Sequence, residues 1–423
     1  MRFPRITTLL AVLSIAPFAL AACGDDDDDG GDTGGGGDAS GTVNVYSSLP
    51  LQGASEAQTK AMVQGIELAL QQAGNKAGNI TVKYSSLDDS TAQAGSWTPE
   101  ATSANARKVA QDDSAVAYIG EFNSGASAIS MPILNEAQVP QISPANTAVG
   151  LTTDEAGADK GEPEKYYPLG LEQRHYLRIV PKDTIQGAAL ATVMKEDGCT
   201  NVAMANDKEV YGAGLARNIE GSLEEQGVEL AFNEGIDKNA PNFRSLAARA
   251  KSAGSDCFVF SGITANGSVQ IFKDFAAALG SDAQLYGPDG VAESGFADPK
   301  EGGIPAAVAR QTKVSVATLN PDSYPPEGQE FFKEFASTYG EDNPDPYAIY
   351  GYEAMRLVLD AIERAGSTDK ADVLKALFDT KDRQSVLGTY SIDENGDTTL
   401  TDYGIYTIEG GELTFDKTVK AAA

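Results

Sequence analysis

From Val43 onward, short apolar runs of strand character alternate with stretches whose apolar residues recur at helical spacing, and the alternation runs through twice. The first series reads as strand 43–48, helix 58–73, strand 80–84, a helix after Pro99, strand 115–119, a helix to 137 and strand 139–143. Met62, Ile66, Ala69 and Leu70 give the first helix its apolar stripe. Pro99 suits a first helical turn, where its missing N–H costs no bond, whereas Pro132 predicts a kink or a late start in the third helix. The second series reads as helix 185–195, strand 201–205, helix 214–226, strand 228–233, helix 242–253, strand 257–260, helix 265–279 and strand 284–286. Parallel strands need crossover connections, and this alternation supplies them, so each series predicts a mostly parallel, doubly wound sheet. The fold class is α/β with two doubly wound lobes, in keeping with ~380 residues beyond the first forty, too many for one core.

Two stretches break the rhythm. Residues 152–172 are rich in Gly, Pro and charge and read as a long surface insertion. Beyond a strand at 313–317 come helices at 327–338, 347–364 and 370–378. Residues 388–392 and 402–407 then read as a hairpin around Asp393-Glu394-Asn395-Gly396-Asp397. That turn has the acids of a calcium loop without its twelve-residue spacing or terminal Glu.

The start of the chain reads as an address. Residues 1–5 are basic, and 9–22 form an apolar run too short for a stable membrane span, as in a secretory signal peptide covering 1–22. The run ends Leu20-Ala21-Ala22-Cys23, which resembles a bacterial lipobox and implies cleavage before Cys23 and acylation of that residue; an ordinary signal with a chance Cys is the alternative. Residues 23–41 carry Asp25 to Asp29 and Gly34 to Gly37 with almost nothing apolar, an expected disordered tether reaching ~20–25 Å as a flexible coil. The expected location is extracytoplasmic, on the membrane through the lipid alone.

A net charge of −29 excludes the nucleic-acid binders, which need basic surface. A secreted address makes Cys199 and Cys257 candidates for a disulfide, since a 2-1-3 strand order would set them at the amino ends of neighbouring strands; two buried free thiols are the alternative. One His and three Cys leave no ligand set for a structural zinc. His175 would have to complete any Ser-His-acid triad, and it stands beside the insertion. The stretch 262–268 has Walker-like glycine spacing with no Lys before its Ser, and 212–217 begins a dinucleotide fingerprint without its third small residue. No metal or cofactor is expected, and a binding protein is favoured over an enzyme.

One junction points to a ligand. Tyr118-Ile119-Gly120-Glu121-Phe122-Asn123-Ser124-Gly125-Ala126-Ser127 ends a strand in a small, hydroxyl-bearing turn that feeds a helix. Backbone N–H groups at the carboxyl edge of a sheet, with the Ser124 hydroxyl, suit a carboxylate or another small anion; Ser124 as a plain N-cap is the competing reading. Three further stretches join it: Gln141-Ile142-Ser143-Pro144-Ala145-Asn146-Thr147-Ala148, Asp207-Lys208-Glu209-Val210-Tyr211-Gly212, and Tyr286-Gly287-Pro288-Asp289-Gly290-Val291. Together with 350–354 these resemble the type I periplasmic binding proteins, specifically the branched-chain amino acid substrate-binding proteins of ABC transporters. The resemblance covers the chain from Val43 onward and excludes the tether and the insertion.

The resemblance implies that two lobes, joined by a three-crossing hinge, close on a free amino acid. It assigns the α-carboxylate to Ser124, Ala145 and Thr147, and the ammonium to Tyr211 and Asp289. A zwitterion leaving water needs donors at one end and an acceptor charge at the other. Asp289 is the one charged residue this reading places for the ammonium. Phe122 and Ile263 border the side-chain pocket, with Gln58 and Glu121 nearby where the archetype differs, so a related amino acid or amide is as open as Leu, Ile or Val. Crossings near 178–180, 315–317 and 387–389 give an N-terminal lobe of 42–178 plus 318–386 and a C-terminal lobe of 179–317 plus 387–423. The implied partner is an ABC permease and the implied state a monomer. A ligand-sensing receptor subunit is the alternative within the same fold, and an extracellular hydrolase or dehydrogenase the alternative outside it.

Overall fold

The computed structural model describes residues 40–420. The signal segment 1–22, Cys23 and nearly all of the tether 23–41 lie outside the described residues.

The first sheet is built from β1 (Gly41–Leu49), β2 (Ile80–Asp88), β3 (Ala115–Gly120), β4 (Gln141–Ser143) and β5 (Tyr176–Arg178), with helices α1 (Glu56–Gln72), α2 (Pro99–Ala110) and α3 (Ser124–Ala137) as crossovers. Its order is β2-β1-β3-β4-β5, all parallel, with the short antiparallel strand Lys76–Ala77 on the β2 edge. Thr98 starts α2 by accepting from Ala101 N, with Pro99 in its first turn. Pro132 sits inside α3 without ending it.

The chain then enters a second sheet through α4 (Asp183–Glu196). It continues with β6 (Asn201–Asn206), α5 (Val210–Gln226), β7 (Glu229–Gly235), α6 (Arg244–Ser252), β8 (Cys257–Ser261), α7 (Ser268–Leu279), β9 (Gln284–Gly287) and β10 (Thr312–Val316). The parallel order β7-β6-β8-β9-β10 repeats the winding of the first sheet. Strands β3 and β8 are buried along their whole length, as strands covered by helices on both faces must be. Three helices follow: α8 (Pro326–Tyr339), α9 (Ala348–Ala365) and α10 (Lys370–Phe378). α9 lies close along α1. A Cβ on Gly65 would stand 2.3 Å from the Ala348 carbonyl oxygen, and one on Gly351 2.3 Å from that of Met62. This return therefore packs against a helix of the first sheet.

Two expectations meet a different outcome. The hairpin read between 388–392 and 402–407 forms only at its tip, where Ile392 bridges Thr398 antiparallel around Asp393–Asp397; 402–407 pairs elsewhere. Gly388–Tyr390 pairs with Arg383–Ser385, while β11 (Asp402–Glu409) pairs with β10 and with a strand the pattern had not suggested, β12 (Glu412–Lys420). The turn that joins β11 to β12 is Gly410-Gly411, both at positive φ. The 152–172 stretch is not merely surface: Tyr166 and Tyr167 are buried in a small cluster with Met131 and Tyr176, and Glu162 is buried beneath the Tyr166 hydroxyl. Its turn at Ala156–Gly157 also accepts from Asn218 and Arg217 of α5. His175 lies fully buried under the Tyr167 ring, with Nδ1 against the Asn135 amide and Nε2 without a partner; burial holds it neutral, its pKa pushed down to about 3. Cys199 and Cys257 are joined by a disulfide at the amino edge of β6 and β8.

Candidate ligand-binding site

Open parallel sheets bind ligands at the carboxyl ends of their strands, where neighbouring crossovers leave toward opposite faces. In the first sheet that reversal lies between β1 and β3, and in the second between β6 and β8. The loops leaving these edges face each other around a small cavity of ≈ 20 Å³. It is lined by Phe122, Asn123, Ser124, Gly125, Ala145, Thr147, Glu209, Tyr211, Ile263, Asp289 and Gly290. All seven residues expected to bind ligand therefore meet around one space.

The donor end belongs to the first lobe. Asn123 is the N-cap residue of α3 and makes no side-chain cap bond, so Ser124 is not a plain N-cap. The N–H groups of Ser124 and Gly125 precede the turn bonds from Ala126 N and Ser127 N back to Asn123 O. The Ser124 hydroxyl accepts from Ala148 N at 3.4 Å, tying this turn to the one after β4. That second turn is sewn in place from beneath. Asn146 donates to the carbonyls of Glu121 and Phe122 at 3.0 and 2.9 Å, and Ser143 donates to Glu121 O at 2.9 Å. The fully buried Arg178 donates to the carbonyls of Asn146 and Ala148, and its other nitrogens reach Thr152 and Asp397. Burial alone would raise Asp397; the positive charges of Arg178 and Lys182 outweigh it and hold the carboxyl below its usual range. The Thr147 hydroxyl is buried and has no partner.

The acceptor end belongs to the second lobe. The Tyr211 hydroxyl donates to Asp289 Oδ1 at 2.5 Å and accepts from Gly290 N at 3.3 Å. Tyr347, at the start of α9, reaches across and donates to Asp289 Oδ2 at 2.8 Å. Burial pushes the Asp289 carboxyl up, and the hydroxyls of Tyr211 and Tyr347 partly offset it. Ile263 lies on the cavity wall, its N–H donated to Asp207 at 3.1 Å.

The expectation of a single acid is corrected. Asp183, the first residue of α4, is fully buried, and neither carboxylate oxygen has a hydrogen-bond partner. Its N–H donates to Thr147 O at 2.8 Å. Burial, and then the charge of Asp289, push its carboxyl well above the usual range. Glu209 is the second acid on the cavity wall with Asp289, already engaged by Lys238 and Asn266. Asp183 was missed because Pro181-Lys182-Asp183 reads locally as the close of a strand; only an acid preceding a helix at a crossover marked it.

Gln58 and Glu121 do not line the cavity. Gln58 accepts from Tyr347 N at 3.1 Å and donates to Ala292 O at 3.4 Å, so it fastens the lobes together and positions Tyr347. Glu121 turns away, takes the Tyr118 hydroxyl at 2.5 Å and lies against Asp89. With the lobes this close, the cavity holds about one water. A ligand of amino acid size would need a wider cleft.

The sequence model described as periplasmic binding protein matches residues 42–412. The chain belongs to this family. The Leu/Ile/Val-binding protein homolog 2 of Brucella abortus is 27% identical over 371 residues, spanning 86% of this chain and 89% of that protein. A leucine binding protein, LivK, from Thermotoga maritima superposes with a TM-score of 0.76 at 22% identity, covering 89% of this chain and 99% of its own. A solute binding protein from Rhodopseudomonas palustris in complex with p-hydroxybenzoic acid superposes at 0.73 with 19% identity, covering 90% and 98%. The two superpositions establish the shared fold of a periplasmic binding protein with parallel-sheet lobes. Among the described residues no helix is long and apolar enough to cross a membrane.

Proposed function

We propose that this chain captures a free α-amino acid between its lobes and delivers it to an ABC permease. In this reading the carboxylate sits on the N–H groups of Ser124 and Gly125 and the hydroxyls of Ser124 and Thr147, beside Ala145. The ammonium sits at Asp289 and the Tyr211 hydroxyl. The lobes are residues 42–178 plus 318–386 and 179–317 plus 387–423, and ligand contact with both favours the closed arrangement. The acylated Cys23 holds the protein extracytoplasmically beside its permease.

The observation that carries the reading is Asp289, a buried acid on the wall of a cavity also lined by the Ser124 turn and Thr147, with a second buried acid, Asp183, near enough to feel its charge. Buried carboxylates need a compensating positive charge or protons. An α-amino acid brings an ammonium; a benzoate brings a further negative charge. The family's benzoate-binding branch is therefore the less suited model. Phe122 and Ile263 offer apolar wall to a branched aliphatic side chain.

The test is a thermal-shift panel on protein unfolded and refolded to strip carried ligand. It would hold the common amino acids, small amides and hydroxybenzoates. A rise in Tm with Leu, Ile or Val, or with another amino acid, supports the reading. A rise with the benzoates alone, or with no zwitterion, overturns it.

A further inference from the structure

At the seam between the lobes, away from the ligand cavity, stands Glu293. It follows the Asp289–Val291 turn and caps a short helix, Ser294–Ala297. Its side chain is 1% exposed. One oxygen takes the Ser55 hydroxyl at 3.3 Å from the start of α1 in the other lobe, and the second oxygen is buried with no partner. On either side the seam is stitched across: Gln58 to Ala292 O, and Ser294 N and Oγ to Asp345 at 3.1 and 3.2 Å. Ser55 thus brings the other lobe directly against this carboxyl.

The charges facing it are nearly all of its own sign. Asp345 stands nearest, before α9, with Glu341 and Glu301 behind it. Glu56 and Lys60 of α1 line the adjoining cleft with Glu301 and Glu341. Among the described residues no cation pairs with Glu293, and Lys60 is the one positive group on that cleft wall.

We propose that Glu293 is a proton-operated latch: the lobes close over it only as it takes up a proton, so closure weakens as pH rises. This rests on the reading of the molecule as two lobes that open and close. In the closed state burial, with Asp345 adding to it, pushes Glu293 up to about 8, while the Thr264 and Ser55 hydroxyls pull the other way. Opened to water, the side chain returns toward the ordinary carboxylate range of about 4.3. The closed-state value is the raised one, so the contribution to closure is complete below the open-state value and is lost as pH climbs to the closed-state value. One proton taken up on closing changes the closed-to-open ratio by about tenfold per pH unit across that window.

Trp97, the sole Trp, provides the readout. Its ring lies over Gly125 at the cleft mouth, across from 207–210 of the second lobe. Emission of the full chain, without ligand, would be followed from pH 5 to 9 in wild type, Glu293→Gln and Glu293→Leu. The expected result is a progressive red shift in wild type, as the mouth opens and wets the ring, with both variants fixed at the low-pH position; either variant suffices should the other fail to fold. A wild-type emission that does not move, or variants that shift as wild type does, would overturn the latch. No ligand enters this experiment, so a failed amino acid panel and a failed latch are separate results.

Discussion

Asp289 is held by two tyrosine hydroxyls, and Asp183 has no partner at all. The two acids should therefore answer differently to removal of charge. Asp289→Asn takes the anion from beneath the ligand's ammonium and leaves that charge buried, a change expected to cost about 2–5 kcal/mol of binding. Calorimetric titration with L-leucine, or with whichever amino acid leads the panel, measures it; unchanged affinity would remove Asp289 from the site. Tyr347→Phe deletes one hydrogen bond to that carboxylate and should cost about 1.5–3 kcal/mol. Asp183→Asn has a second signature. Its folded carboxyl is raised far above the unfolded one, so the ligand-free protein loses stability as pH rises through and beyond the ordinary carboxylate range. Asn cannot titrate. The variant should match wild type in Tm near pH 4, exceed it increasingly toward pH 8, and still bind the amino acid more weakly.

At the scale of elements, the disulfide lies between the start of β6 and the start of β8 and closes a separation of 58 residues. The chain-entropy model gives a stabilisation of ~4 kcal/mol for a loop of this length. Reduction, or Cys257→Ser, should lower the denaturant midpoint accordingly, and an unmoved midpoint would mean that the unfolded chain is not expanded by losing the link. The strands flanking this bridge were legible because parallel strands buried on both faces leave continuous apolar runs, as in Cys257–Ser261. The ligand turns were legible because small and hydroxyl residues follow those strands directly. Glu412–Lys420 was not, since as an edge strand it is little buried and carries only Leu413, Phe415 and Val419 as apolar residues, unevenly spaced. The 152–172 stretch misled for a related reason: its Gly, Pro and charge describe the backbone path, while two adjacent tyrosines, Tyr166 and Tyr167, carry the packing. Asp183 and Gln58 escaped because their roles depend on what the other lobe brings to them. Local pattern holds no record of a partner nearly three hundred residues away, such as Tyr347 for Gln58.

At the scale of the whole molecule, buried acids gather around the cleft and its seam. Glu121 is raised to about 7, Asp207 to about 6, Glu293 to about 8 and Asp345 to about 6, each mainly by burial. Asp397 opposes the trend, held low by Arg178 and Lys182 despite its burial. For each raised acid the folded state binds more protons than the unfolded state at pH values between the two. Stability therefore falls as pH rises through that window. Each such proton is worth about 1.4 kcal/mol per pH unit, so several acting together give a slope on the order of a few kcal/mol per unit between pH 5 and 7. The charge of −29 adds self-repulsion in the same direction. Salt separates the two contributions. It screens the exposed charges over a Debye length of ~10 Å at 0.1 M and leaves the buried carboxyls little changed. Calorimetric Tm measured from pH 4.5 to 8.5 should peak near pH 5 and decline toward 8, and most of the decline should survive at 0.5 M salt. A flat profile, or one that salt abolishes, would assign the pH dependence to the surface and leave the cleft acids ionised in the folded protein.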